Sequence, residues 1–574
     1  MLWQLATGKK QFLPHLTAEI QRLTVSPSGS SYAVQLADNS IMVLSTTELK
    51  PIANFAGLQA AQLQTIGASQ VEADERTAGA AAAIHPLHND HLLLSVPSSL
   101  NNKSSVKSQN ASLAPRPFLQ TYDMIADRHI SRQALTRNNV TDFNIGPEGN
   151  KIKVPDVSLL KTSQDGQWLA TVEEWMPPHA DVGYLAADEE ADKEERSTRR
   201  EIYVKIWKWD EERKTWALET RIDSPHELSN SRQSGRVFGL VVDPSETGFA
   251  TIGEDSCARI WKPKTRLRNG IVVRGTNAEG LVDWSCRHTI RLGWAAEISE
   301  DDAQEEASAP SPIPLSKNAA IAYSEDGSTL AVAQSFDSNP VPVVHFINAA
   351  TGRLAQTRAS VYTGQIRALD FVGRNLIVLS NENIHVWDVV DERLRYQARL
   401  PIDIIPASVP LLAVNKEDQT FAVSTAMKGS ARVAIYKPSA YEPEYTFTLM
   451  QPATALLTVA GRKGYTVVTG SAEIYTLSPK TSAVAITAAA AVPAATDVMD
   501  VSVPEEDDEE EDIDTDMAGA DNMLITNEDD VDKPVVRPEQ LARVFEANNV
   551  SLMPVREMFD AVVGLYARRP RVVV

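Results

Sequence analysis

Few residues in this chain have the types and spacing that chemistry requires. Its cysteines number two, Cys257 and Cys286, which excludes a disulfide framework or a cysteine-built zinc site on count alone. His179 and Asp181 stand two apart, the spacing of a minimal acid–base pair, but they lie in a charged stretch and read as a solvated loop pair. His226, in Ser224-Pro225-His226-Glu227, follows an apolar run. A single histidine there reads as a structural hydrogen-bonding residue rather than a base or a ligand. The sequence holds no phosphate-binding loop, no GxSxG elbow, no HExxH and no GxGxxG after a strand. Its Trp and Tyr residues fall at the ends of apolar runs, where core packing explains them better than a base-stacking platform does. Arg568-Arg569-Pro570-Arg571 could meet RNA or phosphate and reads first as a soluble terminus. No catalytic, cofactor or metal residue is assigned, and the chain is read as not an enzyme.

The elements that would position such residues are repeats. One unit returns along the chain: an apolar strand, a turn with Ser, Asp, Glu or Gly, a second apolar strand, and a third closing on an aromatic. The copy running from Gly239 to Ile260-Trp261 is the clearest; others include Ala320 to Phe346 and Ile366 to Trp387-Asp388. Short strands at even spacing, with Asp-Gly turns between them, predict an all-β propeller. From residue 78 onward seven units are counted, so the fold class is all-β, a WD40-like seven-bladed β-propeller over 75–482. Inserted loops are expected at 173–200 and 297–315. Residues 1–70 are left over and read as the last blade of a preceding propeller, with Leu2-Trp3 as the end of the blade before it.

The net charge of −21 is concentrated in one place. Residues 497–532 hold 17 Asp and Glu and no Lys or Arg, and the other 538 residues together carry −4. Residues 483–535 therefore read as an Ala-rich and then acidic disordered linker, which could also dock basic partners. Helical periodicity returns over 536–569, with Leu541, Val544 and Phe545 on one face and Val555, Met558, Phe559, Val562 and Val563 on another. The two short amphipathic helices could dock on the propeller or on a partner. No dense basic stripe is read in the body, no run of ~18 apolar residues suggests a spanning helix, and no secretory signal is found.

Trp3-Gln4-Leu5-Ala6-Thr7-Gly8-Lys9-Lys10-Gln11-Phe12-Leu13-Pro14-His15-Leu16, followed by Ser26-Pro27-Ser28-Gly29, resembles a stretch of a nucleolar tandem-propeller family. That family is WD-repeat protein seventy-five in animals and U-three-snoRNA-associated protein seventeen in fungi. Asp165-Gly166-Gln167-Trp168, Ile222-Asp223-Ser224-Pro225-His226-Glu227 and Glu325-Asp326-Gly327-Ser328 match it in the same order. The resemblance implies two tandem propellers and membership of the UTP-A (t-UTP) subcomplex of the small-subunit processome. It also implies other UTP-A propeller subunits, the pre-rRNA 5′ external transcribed spacer and the U-three snoRNP as partners. A nucleolar location and support of RNA polymerase I transcription follow, with no small-molecule substrate and no membrane. Against the family pattern, most of an N-terminal propeller is expected to be missing from this sequence. The alternative is a WD-repeat adaptor of another nuclear complex, such as a ubiquitin-ligase or chromatin assembly.

Overall fold

The computed structural model describes residues 20–36, 39–47, 49–59, 80–96, 117–137, 154–185, 188–228, 233–268, 270–275, 280–293, 315–336, 341–401, 409–427, 430–478 and 481–486, with residues 2–3, 8 and 10–11. Seven consecutive four-stranded antiparallel sheets, here blades 1 to 7, follow one another from residue 82. Blade 1 is built from Ala82–Ile84, His91–Val96, Phe118–Asp123 and Arg128–Gln133. Blade 2 is built from Asp156–Thr162, Trp168–Trp175, Glu201–Asp210 and Thr215–Asp223. Blade 3 uses Val237–Val242, Phe249–Gly253, Cys257–Thr265 and Val282–Arg291. Blades 4, 5 and 6 span Ser316 to Ala359, Ile366 to Arg399 and Leu411 to Leu449. Blade 7 takes Ala453–Leu457, Tyr465–Thr469, Ile474–Ser478 and Thr481–Ile486.

The first strand of each blade meets the first strand of the next, and that of blade 7 meets that of blade 1. The ring is therefore closed. Burial follows from this arrangement. In blade 5, Asn375–Ser380 is buried throughout, whereas the outermost strand, Arg393–Arg399, is largely exposed. Between blades 4 and 5, Ala320, Val344 and Phe346 pack against Leu369, Phe371 and Val378. Blades 7 and 1 close over Leu92, Leu94 and Tyr122 against Ala455, Val468 and Ile474. Each such fully buried aliphatic side chain contributes about 1.5–3 kcal/mol relative to exposure. The Asp-Gly turns set the sheet register. Gly327 takes φ +73°, a conformation that strains other residues, while Ser324 and Asp326 bind the turn through a 2.6 Å side-chain hydrogen bond.

Before the ring stands a separate four-stranded sheet, Ile20–Val25, Ser31–Leu36, Ser40–Ser45 and Pro51–Ala56. Its own core is small, Val34, Leu36 and Leu44. It joins blade 1 through the segment after it. The Gln120 side-chain amide donates to Gly57 O (2.9 Å) and accepts from Gln59 N (2.8 Å), and Leu58 is buried at the seam of blades 7 and 1. Leu2–Trp3, expected as the end of an earlier blade, pairs among the described residues with Lys10–Gln11 as a short hairpin.

Two expected boundaries shift. The segment 173–200, expected as an inserted loop, opens on the end of a strand and then forms helices His179–Val182 and Glu189–Thr198. The charge run that suggests a loop is a capped helix. Asp188 accepts from Ala191 N at 2.8 Å, Glu189, Glu190 and Asp192 sit in the first turn, and buried Arg196 donates to Pro177 O at 2.9 Å. The linker expected from 483 begins later, because Thr481–Ile486 pairs with Ile474–Ser478 and completes blade 7. The insertion at 297–314, the acidic segment, the C-terminal helices over 536–569 and Arg568 to Arg571 lie outside the described residues.

Candidate interaction surface on the third blade

His226 is fully buried where the chain enters blade 3. Its Nδ1 lies 2.7 Å from Asp255 Oδ1, and its Nε2 lies 2.9 Å from Thr251 Oγ1. The Thr251 hydroxyl also accepts from Trp261 Nε1 at 3.0 Å, and Arg259 donates to Asp255 Oδ2 at 2.6 Å. Burial lowers the pKa of His226, against the opposing pull of Asp255. Burial alone would raise Asp255, but the hydrogen bond from His226 and the charge of Arg259 outweigh it and hold the carboxyl below its usual range. The chain of bonds runs from the entering loop through the second strand to the third. Its chemistry is that of a fastener: both ring nitrogens of His226, the Thr251 hydroxyl and both Asp255 oxygens are engaged within the blade. Gly253 is required beside it, because a Cβ there would overlap the His226 ring.

Blade 2 has a counterpart with different residues. Trp207 Nε1 donates to Thr171 Oγ1 at 3.0 Å, and Lys205 forms a buried ion pair with Glu173 while donating to Leu135 O at 3.0 Å. His179 meets Asp192 at 3.0 Å, a residue of the following helix, and not Asp181. Burial pushes the Cys257 thiol up to about 11, so it stays protonated at neutral pH, while Cys286 is exposed. Among the described residues no group of three His, Cys, Asp or Glu could hold a metal ion.

Blade 3 carries one feature that sequence reading missed. Its third and fourth strands run nine and ten residues against five in the second, so the outer pair extends beyond the sheet. After the last pairs, Lys264 with Asp283 and Thr265 with Val282, a two-residue pairing of Leu267–Arg268 with Ile271–Val272 turns at Gly270 (φ +78°). Backbone bonds from Arg266 N to Leu281 O (2.8 Å) and from Val273 N to Arg266 O (2.9 Å) fasten the tip. Lys264, Arg266, Arg268, Arg274 and Arg287 are exposed along this hairpin. The signal was present in Lys262-Pro263-Lys264-Thr265-Arg266-Leu267-Arg268, where cations alternate at the period of a strand. It is short in sequence; in the fold Arg274 follows on the returning chain, bridged to Gly280, and Arg287 lies lower on the fourth strand, level with Ile260 and Trp261. Lys262, at the base, is instead held by Asp243 (2.6 Å) and Glu246 (3.2 Å).

Seven blades closed into a ring make this a WD40-like β-propeller protein. No family model matches the chain. It is 24% identical over 442 residues to U3 small nucleolar RNA-associated protein 17 of Schizosaccharomyces pombe, covering 76% of this chain and 47% of that protein. It is 25% identical over 444 residues to WD repeat-containing protein 75 of Xenopus laevis (76% and 41%) and 23% identical over 450 residues to that of Homo sapiens (77% and 42%). The chain is similar to these proteins over about three quarters of its own length, and it spans less than half the length of each. Similar solved structures include the β-propeller domain of Myceliophteria thermophila Cps50 (Swd1), at TM-score 0.40 and 10% identity over 68% of this chain and 93% of that one. Saccharomyces cerevisiae Sqt1 also matches, at TM-score 0.40 and 10% identity over 71% of this chain and 84% of that one.

Proposed function

We propose that this chain is a non-catalytic scaffold subunit of the nucleolar small-subunit processome, within the UTP-A (t-UTP) group. It acts there in pre-rRNA processing, small ribosomal subunit biogenesis and support of RNA polymerase I transcription. The observation that carries the reading is the similarity over 442 residues to a protein named for its association with U3 small nucleolar RNA. The geometry is consistent with binding work. A closed ring holds seven blade edges and their connecting turns at fixed positions, which suits the simultaneous holding of several partners. Its partners in this reading are other UTP-A propeller subunits, the 5′ external transcribed spacer and the U3 snoRNP.

The test is affinity purification of the tagged full chain from nuclei of its own organism, with U3 RNA measured in the eluate and UTP-A subunits identified by mass spectrometry. Enrichment of U3 RNA, reduced by RNase treatment, is expected together with other UTP-A subunits. Recovery of a ubiquitin ligase or a chromatin complex in place of U3 RNA and UTP-A subunits refutes the reading.

A further inference from the structure

The blade 3 hairpin is a run of cations without counter-charges. Several exposed arginines elsewhere have carboxylates beside them: Arg221 pairs with Asp223, Arg358 with Glu392, Arg374 with Asp391 and Arg462 with Asp90. Lys264, Arg266, Arg268, Arg274 and Arg287 have no ion-pair partner among the described residues. Asp283 stands opposite Lys264 in register, but its carboxylate accepts from Thr220 Oγ1 at 3.2 Å. The corresponding outer turns of blades 2 and 5 are acidic or mixed, Asp210-Glu211-Glu212-Arg213 and Asp388-Val389-Val390-Asp391-Glu392.

Like charges held together on a backbone-locked hairpin cost stability and ask for a ligand. Alternate strand residues are ~6.6 Å apart, so Lys264, Arg266 and Arg268 form a line that one carboxylate cannot neutralise. A linear polyanion can, one phosphate per side chain. Arginine dominates the set, and its planar fork matches phosphate oxygens. Outside residues 497–532 the chain carries only −4, so its body offers polyanions no general attraction and any attraction must be local to such a patch.

We propose that the hairpin spanning Cys257 to Arg291 binds the phosphate backbone of RNA, through the line of Lys264, Arg266 and Arg268, with Arg274 and Arg287 as further exposed cations of the same hairpin. The choice of RNA over another polyanion rests on the processome reading above; the patch itself does not. The contact is electrostatic and independent of sequence, so it positions RNA without selecting it.

The experiment is fluorescence anisotropy of the full chain with a labelled 20-nucleotide single-stranded RNA of mixed sequence, over a series of KCl concentrations. The quadruple variant K264Q/R266Q/R268Q/R274Q is expected to bind at least tenfold more weakly. Its slope of log affinity against log salt should be lower by about 3, at ~0.7 per lost phosphate contact. The control R353Q/R399Q, which removes exposed cations from the outer strands of blades 4 and 5, should bind within twofold of the parent. R266K/R268K/R274K keeps the charges and so should keep the salt slope, while losing part of the affinity with the bidentate forks. The proposal fails if the parent binds no RNA, if the quadruple variant binds like the parent, or if the control loses as much. Tighter, hairpin-dependent binding of a poly-glutamate peptide would make the occupant a protein and also overturns it. U3 RNA recovery by the parent chain separates the two ideas: recovery with unchanged RNA binding by the quadruple variant removes the hairpin and leaves the scaffold.

Discussion

The guanidinium of Arg462 lies 3.0 Å from the carboxylate of Asp90, 372 residues earlier in the chain. Beside it, Asn89 Nδ2 donates to Ala460 O at 3.3 Å and Ala80 N donates to Thr454 O at 2.7 Å. These bonds mark the seam where blade 7 meets blade 1. The seam's strength lies elsewhere. Arg462 is 54% exposed, and an exposed pair of this kind is worth about 0–1 kcal/mol. Leu94 is fully buried against blade 7. L94A should therefore cost about 3 kcal/mol in urea unfolding, and R462A less than ~0.5. Equal losses would show that the ion pair, and not apolar contact, closes the ring.

Glu173 and Lys205 are both buried in blade 2. Removing one partner strands the other charge. K205M should destabilise the fold by ~3–5 kcal/mol, and the double variant E173M/K205M should recover most of that loss, short of the ~1–3 kcal/mol left by the unpaired Leu135 carbonyl, because apolar groups of similar volume need no counter-charge. Thermal and urea unfolding of both variants checks this. A double variant no better than K205M would mean that the pair does more than neutralise itself.

Gly253 leaves no room for a methyl group beside the His226 ring. The ring cannot retreat, since it is fully buried and bonded at both nitrogens. G253A should cost ~2 kcal/mol as overpacking. The glycine's φ lies outside the left-handed region, so relief of backbone strain is not at issue. A neutral G253A would show that the loop carrying His226 can shift as a unit.

Acid should weaken the protein before most carboxylates titrate. Burial lowers His345 from 6.5 to about 4, and His385 from 6.5 to about 4. A histidine with a depressed folded pKa adds nothing to pH dependence above 6.5. Below that, the unfolded chain takes up a proton that the folded one refuses, so stability falls with falling pH down to about 4. For His345, which is fully buried, the slope approaches ~1.4 kcal/mol per pH unit. Urea midpoints should drop between pH 7 and pH 5, and H345Q should flatten that drop. A midpoint that rises on acidification contradicts the assignment.

What could be read from residues alone divides by burial. The inner strands, such as Asn375–Ser380, are runs of apolar side chains bounded by turn residues, and they announce themselves. The outermost strands do not. Arg353–Ala359 (RLAQTRA) is largely exposed and carries no apolar alternation, and Arg393–Arg399 (RLRYQAR) alternates but is so rich in cations that it reads as surface, so each unit reads as three strands where the fold has four. His226 could be placed in sequence, but its partners Thr251, Asp255 and Trp261 are brought to it by tertiary pairing that one sequence does not display. The basic hairpin shows the same limit: its alternating cations look sparse until the strand pair extends past the sheet.

The closing seam also has a timetable. Every blade is made of consecutive strands, so blade 7 owns all four of its own and borrows none from the front of the chain. The flank of blade 1 built on Leu92 and Leu94 thus stays uncovered until residues near Arg462 have left the ribosome. At about 5–20 residues per second that wait is on the order of 20–75 s. For that time the nascent protein presents a sticky edge to the cell, and synthesis of this ring is a task for a chaperone as much as for the sequence.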